Sequence, residues 1–306
     1  MSPDTHLLAK KEDLLRWGFD DPVFQEEPFR RLAGIIAELG QVLVAFSGGV
    51  DSALLLRVAR AVLGDRAQGV LAVSESLDRN ELDEARSTAE SMGAPLRIIE
   101  TREYDNPDYR RNDGSRCYHC KSELFTQARG LAEREGIPWV LDGSNADDVG
   151  DHRPGLRARS EQGVRSPLLE AGLGKEHVRR YSRALGLRTW DKPAAPCLSS
   201  RIPYGSEVTR EKLRQVEAAE KGLRDLGFRV VRVRHHDALA RIEVPLEDLP
   251  RLLDPETRDR VLAALKAAGF LFVSVDLEGF RSGSLNAALP VLFAPFRSAG
   301  QDPPGS

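Results

Sequence analysis

The chain is poor in cysteine, in net charge and in uninterrupted apolar sequence, and each shortage excludes a class of protein. Its 306 residues include three cysteines, and because an odd number cannot pair completely, a full disulfide framework is excluded. Free thiols are typical of the reducing cytosol, which we expect to be the compartment. No stretch of eighteen apolar residues occurs, so a membrane-spanning helix is excluded. The polar, charged first 27 residues do not resemble a signal peptide.

Net charge is also too small for a protein that holds a long nucleic acid. The formal charge of −3 gives no global basic field, so we expect no stable nucleic-acid partner. Length and apolar content are ample: 306 residues exceed one average domain, and 41% hydrophobic residues suffice for ordinary cores. Two domains are therefore predicted, at 1–196 and 197–290, followed by a disordered tail at 291–306.

The most informative stretch lies between a predicted strand and a predicted helix. The apolar run at 42–46 is typical of a buried strand, and a helical pattern starts at Ala53. Two glycines allow the backbone to approach a ligand closely, and the N-terminus of the next helix favours a phosphate. The loop lacks the lysine of a Walker motif. The predicted phosphate loop consists of Ser47, Gly48, Gly49, Val50, Asp51 and Ser52.

Strands and helices alternate through the first part of the chain. Short apolar runs at 69–73, 95–99 and 139–141 indicate strands, and the stretches at 79–92, 121–135 and 175–185 have helical periodicity. This alternation predicts an α/β fold, a parallel sheet with helices on both faces. Ligands bind at the carboxyl ends of such strands. The further candidates for nucleotide binding are Ser74, Gly143 and Asn145.

The last part of the chain has a pattern that predicts an α+β module. Helical patterns at 208–226 and 247–268 flank alternating apolar and charged residues at 229–234 and 239–244. The residues between these two predicted strands suit a tight hairpin. In the first of these helices, Glu220 falls within an apolar stripe, either at its rim or facing a site.

The two predicted strands of this module carry charged residues with a period of two. Alternation places Arg232 and Arg234 on one face of their strand, and Arg241 and Glu243 on one face of the next. Such a face can hold an anionic substrate, since arginine binds carboxylate or phosphate through two hydrogen bonds. A solvated face without a ligand is the alternative.

The three cysteines form one CxxC and one isolated residue. Cys117 and Cys120 precede the predicted helix at 121–135 and are predicted to lie in a loop, whereas Cys197 lies in a proline-rich segment. Three thiolates leave one iron of a 4Fe–4S cluster without a protein ligand, and they leave zinc one ligand short. The residues alone leave a cluster, a zinc site and unliganded cysteines as alternatives.

Acidic residues near the predicted phosphate loop are candidates for a metal. Asp51 could hold Mg²⁺ against the phosphates, or it could complement the dipole of the helix that it starts. Asp147 and Asp148 follow a predicted strand, either as loop caps or as metal or adenine contacts. Arg153 and Lys192 offer cations to a phosphate site, although most such residues are only solvated.

Motifs along the chain together resemble one family. The glycine loop resembles the pyrophosphate loop of the ATP pyrophosphatases, which cleave ATP between its α and β phosphates. Over nearly the whole chain the sequence resembles the LarE family, the pyridinium-3,5-biscarboxylic acid mononucleotide sulfurtransferases. The resemblance implies a Rossmann-like PP-loop domain of the adenine nucleotide alpha hydrolase type and a smaller C-terminal domain. In chain order the matching blocks are SGGVDS, CYHCK, LDGSNADD, DHRPG, SPLLE, WDKPAAPCLSSRIPYG, VRVR, RIEV and DLEGFRSGSLN.

The resemblance also implies roles for individual residues. ATP would bind at the glycine loop with Mg²⁺ at Asp51, and a substrate carboxylate would be adenylated and then converted to a thiocarboxylate. Cys197 matches a position whose sulfur is sacrificed in family members that lack the CxxC. The additional Cys117 and Cys120 indicate the type in which three cysteines hold a 4Fe–4S cluster. Lys121 falls at the active site. The substrate- or metal-facing positions are Glu220, Arg232, Arg234 and Glu243.

The partners that the family implies are small molecules. They are a nucleotide substrate and sulfide or another sulfur donor, with a homo-oligomeric, cytoplasmic protein acting on them. Two other functions fit the loop and the cysteines. A tRNA thiolase is disfavoured by the near-neutral charge. A non-enzymatic module that binds ATP and zinc would release no pyrophosphate.

Overall fold

The computed structural model describes residues 8–148, 154–193 and 195–281. The described residues form two compact units: one contains those up to Arg110 and those between Ser115 and Leu198, and the other contains Arg111–Gly114 and those from Ser199 to 281. The predicted tail and residues 282–286 of the last matching block lie outside the described residues. Among the helices of the described ranges, none combines the length and apolar character that crossing a membrane requires.

The first unit is built from alternating helices and strands. Its elements are α1 (Lys11–Arg16), α2 (Glu27–Leu39), β1 (Val42–Ala45), α3 (Val50–Leu63), β2 (Ala67–Val73), α4 (Arg79–Ser91), β3 (Leu96–Glu100), α5 (Pro107–Arg110), α6 (Arg116–Glu135), β4 (Trp139–Leu141), α7 (Pro154–Glu161), α8 (Pro167–Glu170) and α9 (Lys175–Ala184). The four strands match the four apolar runs of the sequence.

The strands form one parallel sheet in the order β3-β2-β1-β4, so the predicted Rossmann-like arrangement is confirmed. Side chains of β1 alternate between the two faces. Val42 and Val44 pack in the same cluster as α2 and α3, whereas Leu43 packs in the cluster that includes Phe125 of α6. The chain order reverses between β1 and β4, and ligands bind at such a reversal, beyond the carboxyl ends of the strands.

Helix α6 begins earlier than the sequence predicts. It starts at Arg116, so Cys117 and Cys120 lie in its first two turns, and the prediction of a loop is wrong. The apolar periodicity starts only at Phe125, because the first turns carry polar residues, including the buried Arg116. Two thiols three residues apart on a helix share one face.

The second unit combines helices with a small mixed sheet, which confirms the α+β prediction. Its elements are α10 (Arg210–Asp225), β5 (Arg232–His236), β6 (Leu239–Glu243), α11 (Leu249–Leu253), α12 (Pro255–Ala267) and β7 (Phe272–Val275). β5 and β6 form an antiparallel hairpin, and β7 pairs parallel with β6. Asp237 in the turn has a φ of 52°, a left-handed conformation that Asp tolerates and that short hairpin turns require.

The hairpin carries two histidines with lowered pKa values. The Nε2 atom of His235 lies 2.9 Å from Oε1 of Gln215, and its Nδ1 accepts a hydrogen bond from the Asp237 amide at 3.2 Å. A neutral ring with its proton on Nε2 satisfies both bonds. Burial, followed by the charge of Lys212, lowers the pKa of His235. Burial is also the main cause that lowers the pKa of His236.

We expect the protein to lose stability on acidification. Both histidines have lower pKa values in the folded than in the unfolded chain, so the unfolded chain binds more protons as the pH falls through about 6.5. The free energy of unfolding therefore decreases in that direction. Thermal melting between about pH 7.5 and about pH 5.5 measures the effect. His235→Gln should flatten the dependence, and an unchanged pH profile in this variant would contradict the assignment.

Candidate active site

The predicted phosphate loop lies between β1 and α3, at the carboxyl edge of the sheet. Gly48 has a φ of 73°, and a Cβ there would stand 2.8 Å from the Cβ of Ala85, so both the backbone angle and the space require glycine. The Ser47 amide donates to Oγ of Ser52 at 3.2 Å, and Ser52 Oγ donates to the Gly49 carbonyl at 3.2 Å. The two serines thus fix the shape of the loop.

Helix α3 presents its N-terminus at this loop. It begins at Val50, and its N-cap residue, Gly49, has no side chain to cap it. The first amides of a helix have no carbonyl partner within the helix. These N–H groups and the positive end of the dipole therefore remain for an anion, which is the arrangement that phosphate groups favour.

The loop after β4 packs directly against the start of α3. A Cβ on Gly143 would lie 2.9 Å from the backbone nitrogen of Ser52 and 3.2 Å from its Cα. The buried Asn145 donates from Nδ2 to Oδ1 of Asp51 at 2.8 Å. The structure thus brings Gly143 and Asn145 to the phosphate loop. Asn145 and Asp51 are 94 residues apart in the sequence.

Gly143→Ala is expected to displace the start of α3, because the added methyl group meets backbone atoms that cannot move aside. We expect a destabilisation of about 1–3 kcal/mol and weaker ATP binding, measured by thermal melting and by calorimetry. Gly130→Ala is the matched control: it lies within α6 with only the end of the Arg134 side chain nearby, so alanine should be neutral or stabilising. Equal behaviour of the two variants would contradict the close-approach argument.

The acidic residues around the loop divide into different roles. Asp147 accepts the Lys175 amide at 2.7 Å and so caps α9, which supports the cap alternative for this residue. Asp148 accepts the Asn145 amide at 3.1 Å. Burial raises the pKa of Asp51, the hydrogen bond from Asn145 lowers it, and the charge of Asp148 raises it. Two nearby carboxylates that repel each other form a pair that a divalent cation would stabilise.

Serines at the end of β2 connect the sheet edge to the segment that carries Cys197. The Oγ atoms of Ser74 and Ser76 lie 3.0 Å apart. Ser76 Oγ donates to Oε1 of Glu103 at 3.1 Å, and its carbonyl accepts the Leu198 amide at 2.8 Å. The residue next to Cys197 is therefore hydrogen-bonded to the carboxyl end of β2.

The three cysteines are reduced and share one neighbourhood within the first unit. Cys117 is exposed, and Cys120 and Cys197 are partly buried. Burial raises the pKa of Cys120 well above its usual range, and the charges of Glu103, Cys197 and Cys117 raise it further, whereas Arg116 lowers it. In the ranges that the structure describes, no three His, Cys, Asp or Glu residues are arranged to hold one metal ion.

Glu103 is a site residue that the sequence argument missed. It follows β3, just as Ser47, Ser74 and Asp142 follow the other strands of the sheet. The rule that ligands bind at the carboxyl ends of parallel strands therefore pointed to it as well. Lys121, predicted from the family, is half-buried and follows Cys117 by four residues, so the two share a face of α6.

Of the two cations predicted near the phosphate site, Lys192 and Arg153, the structure describes only Lys192. Lys192 donates from Nζ to Glu81 and Glu84 of α4 at 2.7 and 2.8 Å. Burial alone lowers the pKa of Lys192, but these two carboxylates outweigh it and raise the value overall. Lys192 is thus an ion-paired residue that ties its segment to α4. Arg153 lies outside the described residues.

The second unit gathers its charged residues as the alternation predicts. Arg232 pairs with Glu243 and Arg234 with Arg241 across the hairpin, so all four lie on one face of the sheet. Arg234 donates to Glu243 at 2.6 Å, and Arg241 donates to its other oxygen at 3.1 Å. The face is not simply solvated, since Arg232, Arg234 and Glu243 are all buried. The guanidinium of Arg232 lies 5.4 Å from the ring centre of Phe280.

Glu220 lies inside this unit and is completely buried. Its two oxygens accept from Nε and an NH2 group of Arg201 at 2.8 and 2.9 Å, and Oε1 also accepts the Val233 amide at 3.0 Å. Both residues of this bidentate pair are buried. Glu220 therefore holds Arg201, a residue of the matching block WDKPAAPCLSSRIPYG, against β5.

Glu220→Ala is expected to destabilise the protein by about 3–5 kcal/mol, because it removes the carboxylate that balances the charge of the buried Arg201 guanidinium. Denaturant unfolding measures the change. Asp225→Ala is the control on the same helix: its ion pair with Lys221 is exposed, so the loss should be about 0–1 kcal/mol. Similar losses in the two variants would mean that the buried ion pair contributes no more to the free energy of unfolding than an exposed one.

No protein-family model matches the chain. A protein of Synechocystis sp. described as uncharacterised is 46% identical over 264 residues, which cover 86% of this chain and 98% of that protein. The pyridinium-3,5-bisthiocarboxylic acid mononucleotide synthase of Lactiplantibacillus plantarum is 43% identical over 260 residues, covering 84% of this chain and 93% of the relative. A glutamine-hydrolysing GMP synthase of Phaeosphaeria nodorum is 27% identical over 231 residues, covering 64% of this chain and 42% of the synthase.

Proposed function

The chain belongs to the LarE family of pyridinium-3,5-bisthiocarboxylic acid mononucleotide synthases, which are enzymes of the PP-loop superfamily, and on this premise we propose which reaction it performs and which residues carry it. The proposed reaction has two steps. ATP first adenylates a carboxylate of pyridinium-3,5-biscarboxylic acid mononucleotide and releases pyrophosphate. Hydrosulfide then replaces AMP, so that a thiocarboxylate, AMP and a proton are formed. Repetition at the second carboxylate gives the bisthiocarboxylate.

The observation that carries the proposal is the position of three thiols in the unit that also contains the phosphate loop. Cys117 and Cys120 lie in the first turns of α6, and Cys197 precedes a residue that is hydrogen-bonded to the end of β2. An ATP-cleaving loop supplies an activated carboxylate, and sulfur near it supplies the nucleophile. A nitrogen-transferring relative such as a GMP synthase has no use for three such thiols.

The first step is assigned to the loop after β1 and the loop after β4. We propose that the amides at the start of α3 bind the pyrophosphate portion of ATP. Asp51, oriented by Asn145, would hold Mg²⁺ with Asp148 nearby. Gly143 allows the two loops to approach, and Ser74 lies at the neighbouring strand end. Positioning and charge neutralisation lower the barrier for attack on the α-phosphate.

The second step is assigned to the three cysteines. Their donor set fits a 4Fe–4S cluster better than one zinc ion, because a four-iron cluster holds its thiolates at separate corners, and no three donors of the described ranges surround a single ion. When bound, such a cluster would supply sulfide as the nucleophile. The raised pKa of Cys120 means that a free thiol there keeps its proton, so metal binding must release it. Lys121, near Cys117 on α6, can balance negative charge at this site.

The second unit is assigned to the anionic substrate. A pyridinium biscarboxylate mononucleotide carries two carboxylates and a phosphate, all of which arginine binds through paired hydrogen bonds. Arg232 and Arg234 lie on one face of the sheet. Glu243 lies opposite Arg232 and accepts hydrogen bonds from Arg234 and Arg241. Glu220 acts in this unit by holding Arg201. We also propose a cytoplasmic location, since the thiols require reducing conditions.

The experiment is a reconstitution with protein prepared without oxygen. The full chain, ATP, Mg²⁺ and sulfide are incubated with the biscarboxylate mononucleotide, and AMP, pyrophosphate and the substrate mass are measured. We expect one AMP and one pyrophosphate for each oxygen that is replaced by sulfur. A parallel incubation with tRNA tests the tRNA thiolase alternative. Thiolated nucleoside from tRNA, without any change in the mononucleotide, would overturn the proposal, as would a protein that binds ATP and releases no pyrophosphate.

A further inference from the structure

The turn after β3 carries a buried carboxylate, Glu103, one oxygen of which has no partner among the described residues. Glu103 is only 3% exposed. Its Oε1 accepts a hydrogen bond from Ser76 Oγ at 3.1 Å, whereas its Oε2 is buried and has no hydrogen-bond partner among the described residues. Burial of a polar oxygen without a partner is costly. Such a carboxylate is therefore expected to meet a positive group that the described residues do not supply.

Ser76 fixes this carboxylate close to the Cys197 segment. Its hydroxyl donates to Glu103, and its own carbonyl accepts the amide of Leu198 at 2.8 Å. Leu198 is fully enclosed and directly follows Cys197. Ser76 thus binds Glu103 through its hydroxyl group and Leu198, the residue after Cys197, through its backbone carbonyl.

The turn that carries Glu103 also contacts the CxxC. The Glu103 carbonyl accepts the Asn106 amide at 3.1 Å. The side-chain nitrogen of Asn106 in turn lies 3.4 Å from Nδ1 of His119, which stands between the two cysteines of the motif. Hydrogen bonds therefore connect the turn after β3 both to α6, which carries the CxxC, and through Ser76 to the segment that carries Cys197.

We propose that the carboxylate of Glu103 is the fourth protein ligand of the metal group held by Cys117, Cys120 and Cys197. This inference rests on the proposed iron–sulfur function. Three thiolates leave one iron of a 4Fe–4S cluster without a protein ligand, and carboxylate oxygen is a donor that iron accepts. Glu103 supplies the donor that the cysteine count lacks, and the metal group supplies the partner that Oε2 lacks.

A carboxylate ligand differs from a fourth cysteine in being replaceable by sulfide. When hydrosulfide takes its place, one iron–oxygen bond breaks and one iron–sulfur bond forms. One monoanion replaces another, and no oxidation state changes. Glu103 would therefore protect the fourth iron between turnovers and release it when the sulfur donor arrives.

The test compares Glu103→Gln with two controls in protein loaded with ⁵⁷Fe without oxygen. Asp105→Asn changes the same charge at an exposed position of the same turn, and Ser76→Ala removes the hydrogen bond that orients the carboxylate. Mössbauer spectra, iron content per chain and the rate of iron loss to a chelator are measured. We expect Glu103→Gln to retain three irons and to lose the fourth about 10–100-fold faster than wild type, with a smaller effect in Ser76→Ala and none in Asp105→Asn.

Added sulfide gives a second readout, because it should occupy the same iron. We expect it to slow iron loss in Glu103→Gln to the wild-type rate. Glu103→Gln with wild-type spectra and wild-type iron retention overturns the proposal while leaving the cluster in place, and so does iron loss that sulfide does not slow. If Glu103→Gln does not fold, wild-type iron retention in Ser76→Ala overturns it as well. A wild-type protein that binds neither iron nor sulfide overturns the iron–sulfur function itself, before any variant is compared.

Discussion

Replacing Cys117 with serine is expected to abolish repeated sulfur transfer and to leave ATP cleavage in place. Serine keeps the size of the side chain but is a poor ligand for iron, so the proposed metal group loses one of its thiolates. The phosphate loop after β1 and the loop after β4 that packs against it lie on elements other than α6, so ATP should still adenylate the substrate. The measurement is the number of thiocarboxylates formed per chain, compared with pyrophosphate released.

The matched control for this variant is Tyr118→Phe. It changes the neighbouring residue of the same helical turn and removes the hydrogen bond from the Tyr118 hydroxyl to Glu161 at 2.6 Å, but it leaves every thiol in place. We expect it to retain transfer. Cys117→Ser with undiminished multiple turnover would show that the sulfur does not come from a group held by three cysteines. Product limited to one sulfur per chain would instead point to sacrifice of Cys197.

Asp51→Asn is expected to reduce pyrophosphate release by about 100-fold or more, the scale on which loss of a transition-state charge contact usually acts. The asparagine oxygen can still accept the hydrogen bond from Asn145, so the local geometry is retained, while the proposed Mg²⁺ ligand loses its charge. Because burial raises the pKa of Asp51, the folded chain binds this proton more tightly than the unfolded chain. The carboxylate form therefore destabilises the ligand-free protein near neutral pH.

Because the Asp51 carboxylate destabilises the ligand-free protein, the stability of Asp51→Asn serves as a control within the same variant. Near neutral pH the melting temperature of ligand-free Asp51→Asn should equal or exceed that of wild type, although its catalysis falls. Asp65→Asn, at a fully exposed carboxylate paired with Arg60, should change neither quantity. The magnesium assignment would be contradicted by Asp51→Asn with normal pyrophosphate release, or by a variant that is less stable than wild type and loses activity only for that reason.

Local patterns predicted the first unit well. Apolar runs marked the four strands, and the parallel sheet followed from their alternation with helices. The same patterns failed at the start of α6, where polar side chains occupy positions that are apolar in an ordinary amphipathic helix. The charged face of the second unit was predictable, because a period of two needs no knowledge of the partner strand; the exact pairing of Arg232 with Glu243 was not.

Burial of charge was the main feature that periodicity could not predict. Glu220 is polar within an apolar stripe, which indicated either a rim or a site; the structure shows it fully buried and hydrogen-bonded to Arg201, 19 residues earlier in the chain. Glu103 follows β3, where the strand-end rule points, but the sequence does not show that its Oε2 is buried without a partner among the described residues. Hydrogen-bond satisfaction is a property of three-dimensional neighbours, and no window of sequence contains it.

The sequence by itself determined the fold class, and it predicted the phosphate loop and the three cysteine ligands, because each of these inferences depends on residue types at adjacent or regularly spaced positions. Only the tertiary structure decided which distant residues meet. It brings Asn145 to Asp51, connects Glu103 through Ser76 to the residue after Cys197, and encloses Glu220 with Arg201. The physical reason is that parallel strands deliver their carboxyl ends to one edge of a sheet whatever their separation along the chain. Short motifs therefore supply the reactive side chains of the site, and long-range packing brings them together.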